Sequence, residues 1–255
     1  MKKFFRRARQ ALERRRVIAL SVALAAAISA GGLMLDEHST TMMPPAPTVI
    51  QSGPSETQLP AADTGYELPD IDHPRVDSWI TRFTTSMRSS YATYLSRMTR
   101  YEGMISKKLA ERRMPQDLIY LAMIESGFDA RAKSPARASG LWQFMTGTAK
   151  QYGLTVTKRV DERNDPVQAT DAALTYLSKL HERFGSWYLA AAAYNAGPGT
   201  VSRVLERVTG RSRGTDADYY RIANRLPAET RDYVPKMIAA ARIGNDPAKY
   251  GFGAS

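Results

Sequence analysis

The stretch Met123-Ile-Glu-Ser-Gly-Phe-Asp-Ala-Arg-Ala-Lys-Ser-Pro-Ala-Arg-Ala-Ser-Gly-Leu-Trp-Gln-Phe-Met145 sets one acid, Glu125, behind a nearly continuous apolar run. Leu118, Ile119, Leu121, Ala122, Met123 and Ile124 cover almost every side of a helix, and a helix apolar all round is a buried one. Glu125 prolongs it at the C-terminal end, where the dipole is negative and no orphan N–H is on offer. Burial and dipole both disfavour the carboxylate, so its pKa is expected to rise, as a general acid requires. The plainer expectation is an ion pair with Arg112, Arg113 or Arg131. After the acid, Ser126-Gly127 ends the helix, a small-residue loop follows, and Gly140–Met145 reads as resumed helix.

The surrounding pattern is helical. Val76, Trp79, Ile80, Phe83, Met87, Tyr91, Tyr94, Leu95, Met98, Tyr101, Ile105 and Leu109 recur at three- and four-residue steps, predicting amphipathic helix in two pieces. Pro115 opens the helix of Glu125. Asp165-Pro166 starts another that Gly185 closes, and the small-residue run Trp187–Gly197 predicts a short helix able to pack closely. Residues 154–160 are the one strand candidate. The expected fold class is mainly α, in a single domain over residues 74–255.

Ahead of that domain the chain changes character twice. Of the net charge of +11, seven units lie in the first 16 residues, where eight Lys and Arg stand against Glu13. Such a basic flank is no nucleic-acid-binding face. It precedes an uncharged apolar run, Val17–Leu35, just long enough to cross a bilayer, so residues 1–35 read as a signal anchor with the remainder translocated. Ala27-Ile28-Ser29 would serve as a cleavage site if the run were instead a signal peptide. Residues 36–73, with Pro44, Pro45, Pro47, Pro54, Pro60 and Pro69 among Ser, Thr and Gly, read as a disordered linker. The chain has no cysteine, which excludes disulfides, a thiol nucleophile and Cys-ligated metal. His38, His73 and His181 are scattered, so no metal site is expected.

Four motifs stand in order: Glu125-Ser126, Gly140-Leu-Trp-Gln143, Ala193-Tyr-Asn-Ala-Gly197 and the tyrosine of Glu229-Thr-Arg-Asp-Tyr233. In this order and spacing they resemble the lytic murein transglycosylases of the soluble-transglycosylase type (family 1). The membrane-bound D branch is the most similar, though the lipidated Cys and glycan-binding repeats common there are missing. The resemblance implies a lysozyme-like, goose-type helical domain that cleaves peptidoglycan glycan strands between N-acetylmuramic acid and N-acetylglucosamine, leaving a 1,6-anhydro end. It makes Glu125 the single acid/base and places Ser134, Gln143, Tyr194, Asn195 and Tyr233 along the sugar cleft. Trp142 is a further candidate for stacking on sugar. No metal or dissociable cofactor is implied, and no protein partner is named. The implied location is the inner membrane, held through residues 17–35, with the domain in the periplasm, or the periplasm alone if the run is cleaved.

Two positions depart from the family pattern: Ala130 stands where Pro is usual and Arg137 where Gly is usual. A positive φ at Arg137 would strain the loop carrying Ser134. Glycosidases ordinarily use two carboxylates, yet Asp129, Asp161 and Asp171 read as loop, turn and solvated-helix residues. Two other functions share the features: a hydrolytic goose-lysozyme-like muramidase, and a non-enzymatic peptidoglycan-binding envelope protein.

Overall fold

Proline stands at the start of the longest helices among the described residues, and glycine closes two of them, at Gly185 and Gly210. The computed structural model describes residues 68–253; the basic flank, the apolar run 17–35 and residues 36–67 lie outside the described residues. Among the described residues no helix is long and apolar enough to cross a membrane. Residues 68–73, grouped by composition with the linker, are packed onto the domain. Leu68 is buried, the Pro69 carbonyl accepts from the Tyr188 hydroxyl, and Asp70 and Asp72 both pair with Arg242.

The region expected as two helices forms three: α1 (Pro74–Thr84), α2 (Arg88–Met98) and α3 (Glu102–Glu111). No glycine or proline marks the breaks. At the first, the Thr84 and Thr85 hydroxyls donate back to the Ile80 and Thr81 carbonyls at 2.9 and 2.6 Å, offering the backbone an alternative to continued helix. Next comes α4 (Ile119–Ser126), entered through a 3-10 turn at Gln116–Leu118, and then α5 (Thr146–Gln151). The Asp165 carboxylate caps α6 (Pro166–Phe184) by accepting from the Val167 and Gln168 amides, and Gly185 ends it in the left-handed conformation. The remaining helices are α7 (Trp187–Ala196), α8 (Pro198–Thr209), α9 (Asp216–Ala223) and α10 (Ala228–Asn245). The domain is mainly α.

Helix α7 is the centre. Residues Tyr188–Ala193 are fully buried, and four successive alanines let α6, α8, α9 and α10 approach it together. Helix α10 also packs against α1 and α4, which brings the ends of α4, α7 and α10 to one place. Pro235 stands inside α10 without breaking it. A proline there removes the amide that would bond the Arg231 carbonyl, and the buried Tyr219 hydroxyl donates to that carbonyl at 2.8 Å instead.

Two local expectations are corrected. Gly140–Met145 is a turn, not a helix. Ser139 and Phe144 exchange both backbone hydrogen bonds, at 3.1 and 3.2 Å, around Gly140 (φ +83°) and Gln143 (φ +47°). Left-handed residues cannot continue a right-handed helix. Gly140 is required twice over, since a Cβ there would lie 1.7 Å from the Arg163 carbonyl oxygen. The strand candidate 154–160 amounts to one isolated bridge, Val156 with Asp161.

Candidate active site

Helix α4 ends at Gly127, whose φ of +60° and amide bond to the Met123 carbonyl (2.8 Å) close the last turn behind Glu125. The residues after it form a loop stapled by side chains rather than by a sheet. Arg163, itself buried, pairs with Asp161 at 2.7 Å and donates to the Arg137 and Phe144 carbonyls at 2.8 and 3.0 Å. Arg137 does adopt the strained conformation, with φ +68°. The loop holds it there with the Arg163 bond and with Ser134, whose carbonyl accepts from the Arg137 amide (2.9 Å) and whose hydroxyl accepts from the Ala138 amide (2.9 Å).

The four motifs meet. The Ser126 hydroxyl donates to the Leu141 carbonyl at 2.8 Å, tying the Gly140–Gln143 turn to the end of α4. The Tyr194 hydroxyl, from α7, donates to the Trp142 carbonyl at 2.8 Å. From α10 the Tyr233 hydroxyl donates to Glu125 Oε1 at 2.6 Å. Asn195 joins α7 to α10: its amide donates to Glu229 Oε1 at 3.2 Å, and its carbonyl oxygen accepts from Thr230 at 2.7 Å.

Beside this junction lies a cavity of about 440 Å³ whose wall includes Glu125, Gln143, Tyr194, Asn195 and Glu229, a size ordinary for a ligand site. Loss of solvation pushes the Glu125 carboxyl up to about 7 from an ordinary 4.5; the Tyr233 hydrogen bond and the Lys236 ammonium oppose that rise, and Glu229 adds to it. Burial holds the Tyr194 and Tyr233 phenols well above their usual range, so both are hydrogen-bond donors at neutral pH. The ion pair expected of a structural glutamate does not form: Arg112 pairs with Asp171, which Lys108 also holds.

Of the predicted site residues, Glu125, Gln143, Tyr194 and Asn195 line the cavity, and Tyr233 reaches it through Glu125. Gln143 spends its amide on the Gly140 and Ala132 carbonyls, at 2.8 and 3.2 Å, and so shapes the turn as well. Ser134 is not on the wall. Ala136 and Ala138 stand there, and Ser134 staples their turn. The expectation for Trp142 is corrected: its ring is fully buried, with Nε1 donating to Thr170 Oγ1 at 2.9 Å, so neither face is open to a sugar.

Two residues of the candidate site escaped the sequence reading. Glu229 lines the cavity, and burial raises its carboxyl too. Lys236 donates to the Ile124 carbonyl at 3.1 Å, satisfying an orphan acceptor of α4 next to the acid. A signal was present. Glu229, Tyr233 and Lys236 are spaced i, i+4, i+7, one face of a helix, and the middle residue had already been singled out.

Residues 103–216 match the family described as "Transglycosylase SLT domain". That stretch of the chain is thus similar to an SLT domain. It is 40% identical over 152 residues to the membrane-bound lytic murein transglycosylase D of Escherichia coli (strain K12), an alignment covering 59% of this chain and 33% of that protein. It is 31% identical over 146 residues to the soluble lytic murein transglycosylase of the same strain, covering 54% of this chain and 22% of that one. The crystal structure of the 70 kDa soluble lytic transglycosylase from Escherichia coli aligns with a TM-score of 0.49 and 25% identity, covering 61% of this chain and 26% of that chain. The chain thus spans about a third or less of the length of these relatives. The family match ends before α10, so the places of Glu229, Tyr233 and Lys236 rest on geometry.

Proposed function

We propose that this lysozyme-like domain is a peptidoglycan lytic transglycosylase, cutting after N-acetylmuramic acid with formation of a 1,6-anhydro ring. One observation carries the reading: a carboxyl on the wall of a glycan-sized cavity, protonated up to about 7 and oriented by a 2.6 Å bond from Tyr233. Glu125 donates its proton to the glycosidic oxygen as the C1–O bond breaks. The resulting carboxylate takes the proton from the same sugar's 6-hydroxyl, whose oxygen closes on C1. The acid is protonated again at the end, and no water is consumed. Intramolecular attack of this kind can carry an effective molarity on the order of 10⁵ M, which removes the need for a carboxylate nucleophile. The homology to murein transglycosylases supports the substrate class. The basic flank and the apolar run 17–35 support attachment to the inner membrane with the domain in the periplasm.

Glu229 favours a second reading, since a second carboxylate on the cavity could activate water and make the enzyme a hydrolytic muramidase. Products separate the two. Digestion of purified sacculi should release muropeptides lighter by one water than their reducing-end counterparts, seen by mass spectrometry. Reducing-end products alone would exclude the transglycosylase reading.

The groups around Glu125 also fix the sign of a pH effect. The first step needs the protonated acid, so the rate should fall as pH rises through about 7. Tyr233 and Lys236 both favour the ionised form, so Tyr233→Phe and Lys236→Met should move that fall to higher pH, by about one unit. Glu229 disfavours it, so Glu229→Gln should move the fall lower. The pH–kcat profiles of the three variants check the assignment, and a common direction would contradict it.

A further inference from the structure

The cavity has two ends of opposite sign. Glu125 and Glu229 come from α4 and α10, whereas α6 contributes Lys179 and Arg183, one helical turn apart and both on the wall. Between the ends runs a row of aromatic rings. Tyr194, beside the acid, packs on Tyr176 with centroids 5.3 Å apart; Tyr176 packs on Tyr152 at 4.7 Å; and Lys179 Nζ lies 5.3 Å from the Tyr152 centroid. Both cations are exposed, yet both are oriented. Lys179 rests over the Tyr152 ring, and Arg183 donates to Ser202 Oγ at 2.9 Å. Among the described residues neither forms an ion pair, while Lys108 and Arg112, earlier in the chain, share Asp171. Arg183 therefore presents its remaining guanidinium donors, and Lys179 its ammonium, to whatever occupies that end of the cavity.

A neutral glycan backbone gives two cations nothing to pair with. In peptidoglycan the anionic groups hang from the lactyl arm of each muramic acid: the carboxylates of the peptide built on it or, when that peptide is removed, the lactyl carboxylate itself. We infer that Lys179 and Arg183 form a carboxylate subsite that engages the lactyl arm of a muramic acid seated away from the scissile bond. The inference rests on the proposed peptidoglycan reading and deepens it into a preference among strands. Planar guanidinium and carboxylate suit a forked contact, and the aromatic row gives the intervening sugars a surface to lie on. The subsite discriminates by charge and so weakens as salt screens it.

Binding and turnover test this separately. In the full chain bearing Glu125→Gln, which holds strands without consuming them, titrate soluble glycan fragments of three kinds: peptide-bearing, amidase-stripped, and N-acetylglucosamine oligomers with no lactyl arm. Exposed pairs are weak singly, so Lys179→Gln with Arg183→Gln together should weaken binding of a carboxylate-bearing strand about tenfold. The loss should shrink at raised salt, while affinity for the lactyl-free oligomer should stay as it was. Loss confined to peptide-bearing strands assigns the subsite to the peptide; equal loss on stripped strands assigns it to the lactyl carboxylate; both support the proposal. No loss on either, or an equal loss on the lactyl-free oligomer, overturns it. In the otherwise native chain the same pair should raise KM on peptide-bearing strands and leave the loss of kcat comparatively small. Absence of turnover in the native chain would instead count against the activity, leaving the binding result to stand by itself.

Discussion

Glutamine at position 125 should leave the domain folded and reduce the rate on sacculi by at least roughly 10²-fold, the scale of lost acid/base catalysis. The amide keeps the shape of the carboxyl and can still accept from the Tyr233 hydroxyl. It cannot donate a proton to a leaving oxygen or take one from a 6-hydroxyl, and both steps of the proposed cycle run through this one group. Retained activity would show that another acid, with Glu229 the nearest candidate, does the chemistry.

The same substitution carries a stability signature that a merely structural glutamate would not show. In the unfolded chain the carboxyl ionises near 4.5, whereas in the folded protein it holds its proton up to about 7. Between those values the folded state binds more protons than the unfolded state, so this group's contribution falls as pH rises, then levels off above about 7. Glu125→Gln has no such dependence. Its melting temperature should exceed that of the native protein at pH 8, and the gap should narrow towards pH 4.5. A gap that widens on acidification would place the group among ordinary paired carboxylates.

Much of the scaffold was legible because its helices are bounded by residues with a single local meaning. Asp165-Pro166, Gly185 and Gly127 each do what capping chemistry dictates. The division of residues 74–111 into three helices was not legible, since the first break rests on threonine hydroxyls turned back on the helix, a signal too weak to outvote apolar periodicity. The Gly140–Gln143 turn was misread for a related reason. Its run of large residues after one glycine is compatible with a helix. What forbids one is the left-handed backbone at Gly140 and Gln143, with the Arg163 carbonyl, from a segment more than twenty residues away, leaving no room for a Cβ at Gly140. At the site, the apolar run before Glu125 drew attention to it, and the four-motif resemblance, not burial alone, gave it the acid/base role. Lys179 and Arg183 look like any solvated helix face until the cavity puts Tyr152 and Tyr176 beside them. Arg137 is the instructive case. A long side chain where the backbone needs φ +68° is a local misfit, held by Ser134 and Arg163, and that is why Ser134 works within the loop rather than on the cleft.

Trp142→Ala should be the most destabilising single change in this loop, costing about 3–5 kcal/mol. The indole is fully buried and fills the space between the Gly140–Gln143 turn and α6. Removing it leaves a cavity too large for the surroundings to close and strips the Thr170 hydroxyl of its 2.9 Å donor. For a domain of this length each kcal/mol moves the melting temperature by roughly 2–4 °C, so calorimetry should record a fall of roughly 6–20 °C. Trp142→Phe, which keeps most of the volume and loses the N–H, should cost less than half as much. A tryptophan serving as a sugar platform would behave the opposite way: alanine would leave melting nearly unchanged and raise KM. The two outcomes do not overlap, because a ring packed on both faces cannot also offer one to a glycan. The backbone adds a second consequence. The Trp142 carbonyl accepts from the Tyr194 hydroxyl at 2.8 Å, so a turn that collapses into the vacated space carries Tyr194 with it. Folded Trp142→Ala protein, assayed well below its melting point, should therefore have lost part of kcat, while Trp142→Phe, with the turn still propped, should retain most of it.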